Sequence, residues 1–227
     1  MVHDFAASFD AEKVFRLLGA REGRRVSASS RRRVHNLSQD MDALVDPRLS
    51  YRTLTLAGVN QGGIELEDGT CFKSPKLARA MASADRVCCF VATLGPELEM
   101  KVHRLMQLRR HADACVLDAL GSMSAESIVE QFYQRMAQRL AKENRGVTLR
   151  FSPGYCDWPL AQQQPLFALF ANQAPLRVEL NQSCLMSPRK SVSGLFGIVP
   201  GGVACADPSY NPCTMCAKRD CIARRSR

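Results

Sequence analysis

Apolar positions recur at helical spacing over residues 10–18, where Val14, Leu17 and Leu18 fall on one face and Gly19 marks the end. A second helical pattern runs from about residue 30, with Val34, Leu37, Met41 and Leu44 on one stripe, and stops before Pro47. Residues 51–56 then switch to alternation, Tyr51, Thr53 and Thr55 opposite Arg52, Leu54 and Leu56, which predicts a strand. Another strand is expected at 62–66. Glu67-Asp68-Gly69-Thr70 supplies hairpin turn residues leading into Cys71-Phe72-Lys73. Ser74-Pro75 reads as an N-cap followed by a first-turn proline, and so as a helix start. The continuous apolar run 87–93 fits a strand buried on both faces, closed by Gly95-Pro96.

Beyond it the helical period returns. Residues 97–108 form an amphipathic helix, and a longer one spans about 112–142, burying Val116, Leu120, Met123, Ile128, Phe132, Met136 and Leu140. Asp118, Ser122, Glu126 and Glu130 form a separate stripe, a pattern more often solvent-facing than functional. Val147-Thr148-Leu149 reads as a strand end, residues 163–172 as a helix, and 176–180 and 191–199 as strands. Helices and strands mix without regular βαβ alternation. The expected fold class is therefore α+β, an antiparallel twisted sheet with flanking helices.

At 227 residues the chain is long enough for a full core, and 46% hydrophobic with 23% charged residues is ordinary for a globular protein. Neither a membrane-length apolar run nor a secretory leader is evident, so a cytoplasmic location is expected. Net charge is +9, partly from arginines between residues 21 and 33. No aromatic residue interleaves with them, which weakens a single-strand nucleic-acid reading and leaves a solvated helix start or an acidic protein partner. Ten cysteines in such a location are not expected to form a disulfide framework, and Cys88 and Cys89, inside the apolar run, read as buried thiols.

Residues 150–158, Arg-Phe-Ser-Pro-Gly-Tyr-Cys-Asp-Trp, hold the only tryptophan together with a tyrosine, a cysteine and two opposite charges. Pro153-Gly154 forces a turn, because proline fixes φ and glycine admits positive φ. Two readings stand at this point. A turn exposing Arg150, Tyr155 and Trp158 together would be a binding loop. Alternatively, it is a plain strand-to-helix turn capped by Asp157.

Arg150-x-x-Pro153-Gly154-Tyr155 resembles the S-adenosylmethionine-binding motif of the reactivation domain of cobalamin-dependent methionine synthase. Ser183-Cys184-Leu185-Met186-Ser187-Pro188 followed by Ser191-Val192-Ser193-Gly194 is similar to that family's second motif, in the right order and at the expected distance. The similarity runs from about residue 84 to 201, and more weakly back to 51. Lacking the other modules of methionine synthase, the chain resembles a free-standing reactivation protein.

That resemblance implies a bent, C-shaped sheet and an accessory role in reductive methylation. An electron converts cob(II)alamin on a partner protein to cob(I)alamin, which attacks the methyl group of S-adenosylmethionine. The cobalt is the nucleophile, so the protein supplies proximity and orientation rather than a base. Arg150 can hold the ligand carboxylate with a two-pronged, charge-assisted bond, while Ser152, Pro153 and Gly154 let backbone approach closely. Glu126 is the acid implied for the ammonium, and Gly194 and Phe196 for the adenine side. The family has an aromatic pair there, whereas here Phe196 is followed by Gly197. Tyr155 is implied to face the corrin. The partners implied are a cobalamin-carrying methionine synthase or another corrinoid protein, and an electron donor. No Ser-His-Asp pattern or phosphate loop competes, and the four histidines read as surface residues.

The tail departs from the family. Cys205, Cys213, Cys216 and Cys221 gather four thiols in a short stretch with little capacity for a core. Cys-x2-Cys lets two thiolates share an ion and the outer pair completes a four-thiolate set, for a [4Fe–4S] cluster or for zinc. Need for an electron favours iron–sulfur, and free thiols are the plain alternative. Three segments follow: an N-terminal helical cap (1–47), an activation-like domain (48–203) and a cysteine-rich metal-binding tail (204–227). The rival reading is a basic, zinc-containing module that binds nucleic acid or protein, but it leaves both internal motifs unexplained.

Overall fold

The computed structural model describes residues 5–20, 25–171, 177–202 and 213. In chain order the elements are helices α1 (Ala11–Leu17), α2 (Ala28–Ser38) and α3 (Met41–Leu44), then strands β1 (Arg48–Asn60), β2 (Gly63–Leu66) and β3 (Cys71–Lys73). Helix α4 (Pro75–Met81) leads to β4 (Arg86–Thr93), α5 (Glu97–Gln107) and the long α6 (His111–Lys142). After β5 (Gly146–Val147) come a 3-10 turn (Leu160–Gln162), α7 (Gln163–Ala168), β6 (Glu179–Leu180), β7 (Met186–Ser187) and β8 (Ser191–Val199). The α+β class with an antiparallel open sheet holds. Among the described residues no helix is long and apolar enough to cross a membrane.

The chain divides into two compact units. Residues 1–49, 92–132 and 175–192 form the first, and residues 50–91, 133–174 and 193–227 the second.

In the first unit, Asp10 caps α1 by accepting from Glu12 N at 2.9 Å, and Ser27 caps α2 by accepting from Ser30 N at 3.1 Å. Val14, Phe15, Val34 and Met41 close on Leu98 and Leu105 of α5 and on Leu117 and Leu120 of α6. Phe15 takes the buried place on α1 that the spacing assigns to Leu18, which is exposed. The helix expected from residue 30 to 44 is two helices. Ser38 Oγ donates to the His35 carbonyl and Gln39 N bonds Asn36 O, so the last turn of α2 tightens and the chain restarts after Asp40. The arginines of α2 form a solvated face with local partners. Arg31 pairs with Glu12 at 3.4 Å and lies over the Phe15 ring, and Arg33 pairs with Asp113 at 2.8 Å.

The second unit is built on the six-stranded sheet, order β3-β2-β1-β4-β8-β5. The β2–β3 hairpin forms as its turn residues predict, with Ile64 opposite Phe72. Ser74 Oγ caps α4 by accepting from Leu77 N at 3.0 Å. Leu54, Leu66, Phe72, Leu77, Met81, Trp158, Leu166 and Leu195 make the core. Strand β4 is buried along almost all its length, and Cys88 and Cys89 have no exposed surface. Burial pushes the Cys88 thiol up to about 12 and the Cys89 thiol well above its usual value. The predicted helix at 163–172 ends at Ala168, and of the predicted strand at 176–180 the described part is strand only at Glu179–Leu180.

Candidate functional site

Within the second unit, the first motif leaves the sheet through one bridge. Phe151 N donates to Leu195 O at 2.8 Å and Leu195 N to Phe151 O at 2.9 Å. The chain then turns over Pro153 and Gly154, the latter at φ +87°. Gly154 N bonds Trp158 O at 2.8 Å, Tyr155 N bonds Ser152 O at 3.2 Å, and Trp158 N bonds Tyr155 O at 3.1 Å. Those amides therefore close the turn itself. Cys156 adopts φ +58° and is exposed.

The turn does not expose its tryptophan. Trp158 is 1% exposed, meets the Phe72 ring edge-on at 5.2 Å and donates Nε1–H to Gln162 Oε1 at 2.8 Å. The largest apolar side chain of the motif is anchored inside because both its surface and its N–H find partners there. Asp157 does not cap the helix that follows. Its carboxylate accepts from Ser74 Oγ and from Lys76 N at the start of α4, which ties the turn back to an earlier helix. What the turn presents outward is Tyr155, 49% exposed, beside Leu160, 40% exposed. Leu160 Cδ1 lies 3.3 Å from where a Cβ on residue 154 would stand.

Arg150 is half-buried, and its guanidinium carbon lies 5.8 Å from the centroid of the Tyr133 ring on α6. Tyr133 donates its hydroxyl to the Thr148 carbonyl at 2.8 Å and meets Phe196 edge-on at 5.2 Å. Thr148 in turn is zipped to β8, its N bonding Gly197 O at 2.9 Å and its Oγ1 accepting from Gly197 N at 2.8 Å. Phe196 has no exposed surface and packs between Tyr133 and Phe90. Gly197 stands where the resembled family has the second residue of an aromatic pair. A Cβ there would meet Met81 Sδ at 2.8 Å, Ala84 Cβ at 2.9 Å and Thr148 Cγ2 at 3.0 Å, so no side chain fits. Gly194 is equally constrained, by Phe151 O, Ser152 Oγ and Phe90.

The rest of the second motif lies in the first unit. Asn181 Oδ1 accepts from Ser183 N at 2.9 Å and Leu185 N at 3.0 Å, shaping the β6–β7 hairpin, with Cys184 buried at φ +59°. Past the cis Ser187–Pro188 bond, Lys190 is buried and reaches α6, its Nζ 2.7 Å from Asp118 Oδ1 and 2.9 Å from Ser122 Oγ. Half of the polar stripe on α6 thus holds the second motif in place. Glu126 and Glu130, one and two turns on, are exposed.

Helical spacing passes over Tyr133, which follows the core residue Phe132, and Lys190 lies just before β8 with partners 68 and 72 residues away by number. No local pattern marks either. Of the tail ligands, Cys205, Cys216 and Cys221 lie outside the described residues, and Cys213 is half-buried. Among the described residues no three histidine, cysteine or acidic side chains come together as a metal site. His35, His103 and His111 are exposed, as expected, and His3 is outside the described residues.

Residues 76–202 match the family described as the vitamin B12 dependent methionine synthase activation domain. The chain belongs to this family. The match contains the first motif, the second motif, Tyr133 and Lys190. No curated protein matches the chain by sequence. The crystal structure of the MetH reactivation domain bound to AdoHcy has a similar fold, with a TM-score of 0.64 and 18% identity over 87% of this chain and 76% of that one. At that identity the likeness extends to the fold. Membership in the activation-domain family and the fold thus rest on separate comparisons that agree.

Proposed function

We propose that this activation-domain protein binds S-adenosylmethionine and docks on a cobalamin-carrying protein, methionine synthase or another corrinoid methyltransferase component, to support its reductive methylation. The observation that carries the reading is the pairing of a half-buried arginine, Arg150, with a tight Pro-Gly turn whose crest is Tyr155. A cation that is partly desolvated and stacked on a ring holds a planar carboxylate better than a freely solvated one does. Family membership supports the same reading, as does a solved relative in fold that binds AdoHcy.

In this mechanism Arg150 takes the ligand carboxylate. The Pro153-Gly154 turn keeps bulk away from the ligand backbone. Phe196, wholly buried, acts through Tyr133 rather than by lying against the adenine. Tyr155 and Leu160 form an exposed apolar crest suited to an apolar partner surface such as a corrin face. The cobalamin of the partner would supply a cobalt that, after one-electron reduction, accepts the methyl group and leaves S-adenosylhomocysteine. The chain's own contribution is to hold the sulfonium ligand in one orientation while the partner approaches. The electron is proposed to come from a separate donor or through a metal cluster on the tail cysteines Cys205, Cys213, Cys216 and Cys221.

Isothermal titration with S-adenosylmethionine tests this reading. Arg150→Ala is expected to lose roughly 1.5–3 kcal/mol, about tenfold or more in affinity. Absence of binding by the natural protein, or equal binding by both, overturns it.

A further inference from the structure

Arg150 is held in a particular way, and the holding residue lies outside both motifs. Tyr133 is fixed at two ends. Its hydroxyl donates to the carbonyl of Thr148, two residues before Arg150, and its ring edge abuts the buried Phe196. The face of the same ring lies 5.8 Å from the Arg150 guanidinium carbon, within the range of a cation–π contact. Thr148 is itself locked to Gly197 of β8 by bonds in both directions, so the ring and the arginine share one rigid frame. A long arginine side chain free in solvent samples many rotamers, and ordering it on binding weakens affinity. Stacking on a fixed ring removes part of that loss before the ligand arrives.

We infer that Tyr133 is the positioning residue that presets Arg150 for the carboxylate end of the ligand. The inference rests on the proposed carboxylate role of Arg150. Its consequence is selective: the tyrosine affects ligands in proportion to their carboxylate contact and leaves the adenosine part alone. A residue needed only for packing would weaken all adenosyl ligands alike.

The test compares S-adenosylmethionine and S-adenosylhomocysteine, which carry the carboxylate, with 5′-methylthioadenosine, which lacks it. Tyr133→Leu is expected to weaken the first two by roughly fivefold and to leave the third unchanged. Tyr133→Phe keeps the ring and loses only the hydroxyl bond, so it is expected to sit between Tyr133→Leu and the natural protein. Should Tyr133→Leu not fold, Tyr133→Met, unbranched and compatible with a helix, gives the same readout. Equal affinity of the Leu or Met variant and the natural protein for S-adenosylmethionine overturns the inference, and so does equal weakening of all three ligands. Arg150→Ala separates the two levels. If it loses the carboxylate ligands while Tyr133→Leu does not, only the inference fails. If Arg150→Ala binds them normally, or the natural protein binds none, the carboxylate reading falls and the inference with it.

Discussion

The carbonyl oxygen of Phe151 occupies the place where residue 194 would carry a Cβ. This one close approach joins the two motifs, because it lets the first motif bridge to β8 at Leu195. Glycine at 194 is thus required by the protein's own backbone. Gly194→Ala would also press on Ser152 Oγ at 2.9 Å and Phe90 Cζ at 3.0 Å. It is expected to destabilise the fold by about 1–3 kcal/mol and to displace the 150–158 turn. Urea unfolding checks the first effect and S-adenosylmethionine titration the second. Gly58→Ala, also in a strand but with nothing within 4 Å, is the control and is expected to change little.

Lys190 and Asp118 make an unequal pair. The Lys190 side chain is 10% exposed and that of Asp118 48%. Removing the lysine leaves a carboxylate that water can solvate, whereas removing the carboxylate strands a buried ammonium on Ser122 alone. Asp118→Ala is therefore expected to cost about 2–4 kcal/mol and Lys190→Met under about 1.5 kcal/mol. Equal losses in denaturant unfolding would show that burial does not govern this pair.

The buried thiols predict an alkaline limit. Cys88 is raised to about 12 and Cys89 well above its usual value, both chiefly by burial. An unfolded thiol ionises near pH ~8.5. Below that pH both states keep the proton and the contribution to stability is complete. Above it the unfolded chain releases protons that the folded chain retains, so stability falls as pH rises toward the folded value, by about 1.4 kcal/mol per pH unit for each thiol. Unfolding free energies followed from about pH 8 to pH 10 should fall more steeply for the natural protein than for Cys88→Ala, Cys89→Ala. Parallel slopes would remove the thiols as the cause.

The sequence made the periodic parts of this fold legible, since burial leaves a period wherever an element is long. Strand β8 runs over the residues expected, and α6 begins one residue before its expected start. Short elements escaped. Two polar residues, Gln39 and Asp40, suffice to break one helical stripe into α2 and α3, because a four-residue helix has no period of its own. At the candidate site the motif was legible and its orientation was not. Whether Trp158 faces in or out depends on Phe72, Lys73 and Gln162, none of which the local sequence of the turn specifies. Asp157 is the same case, a turn residue whose partners lie more than eighty residues earlier. Tyr133 was hidden for another reason. A helix reveals which face is buried, but not that a half-buried ring at its edge will carry an arginine from a later loop.

The tail gives the last prediction. Cys213 and Cys216 stand at the spacing that lets two thiolates bind one ion, with Cys205 and Cys221 available to complete four ligands. If they hold a [4Fe–4S] cluster, anaerobically purified protein is expected to be brown and to contain about four irons per chain. Replacing Cys213 and Cys216 by serine should bleach it. Affinity for S-adenosylmethionine should barely change, because the 150–158 turn bridges to β8 at Leu195 and contains none of these four cysteines. Electron delivery to a cobalamin-loaded partner should fall sharply in the same variant. A colourless protein with one tightly held zinc would make the segment a structural staple instead. Metal-free thiols in anaerobic, chelator-free preparations would reject both versions and leave electron supply to a separate reductase, with the ligand-binding proposal unaffected.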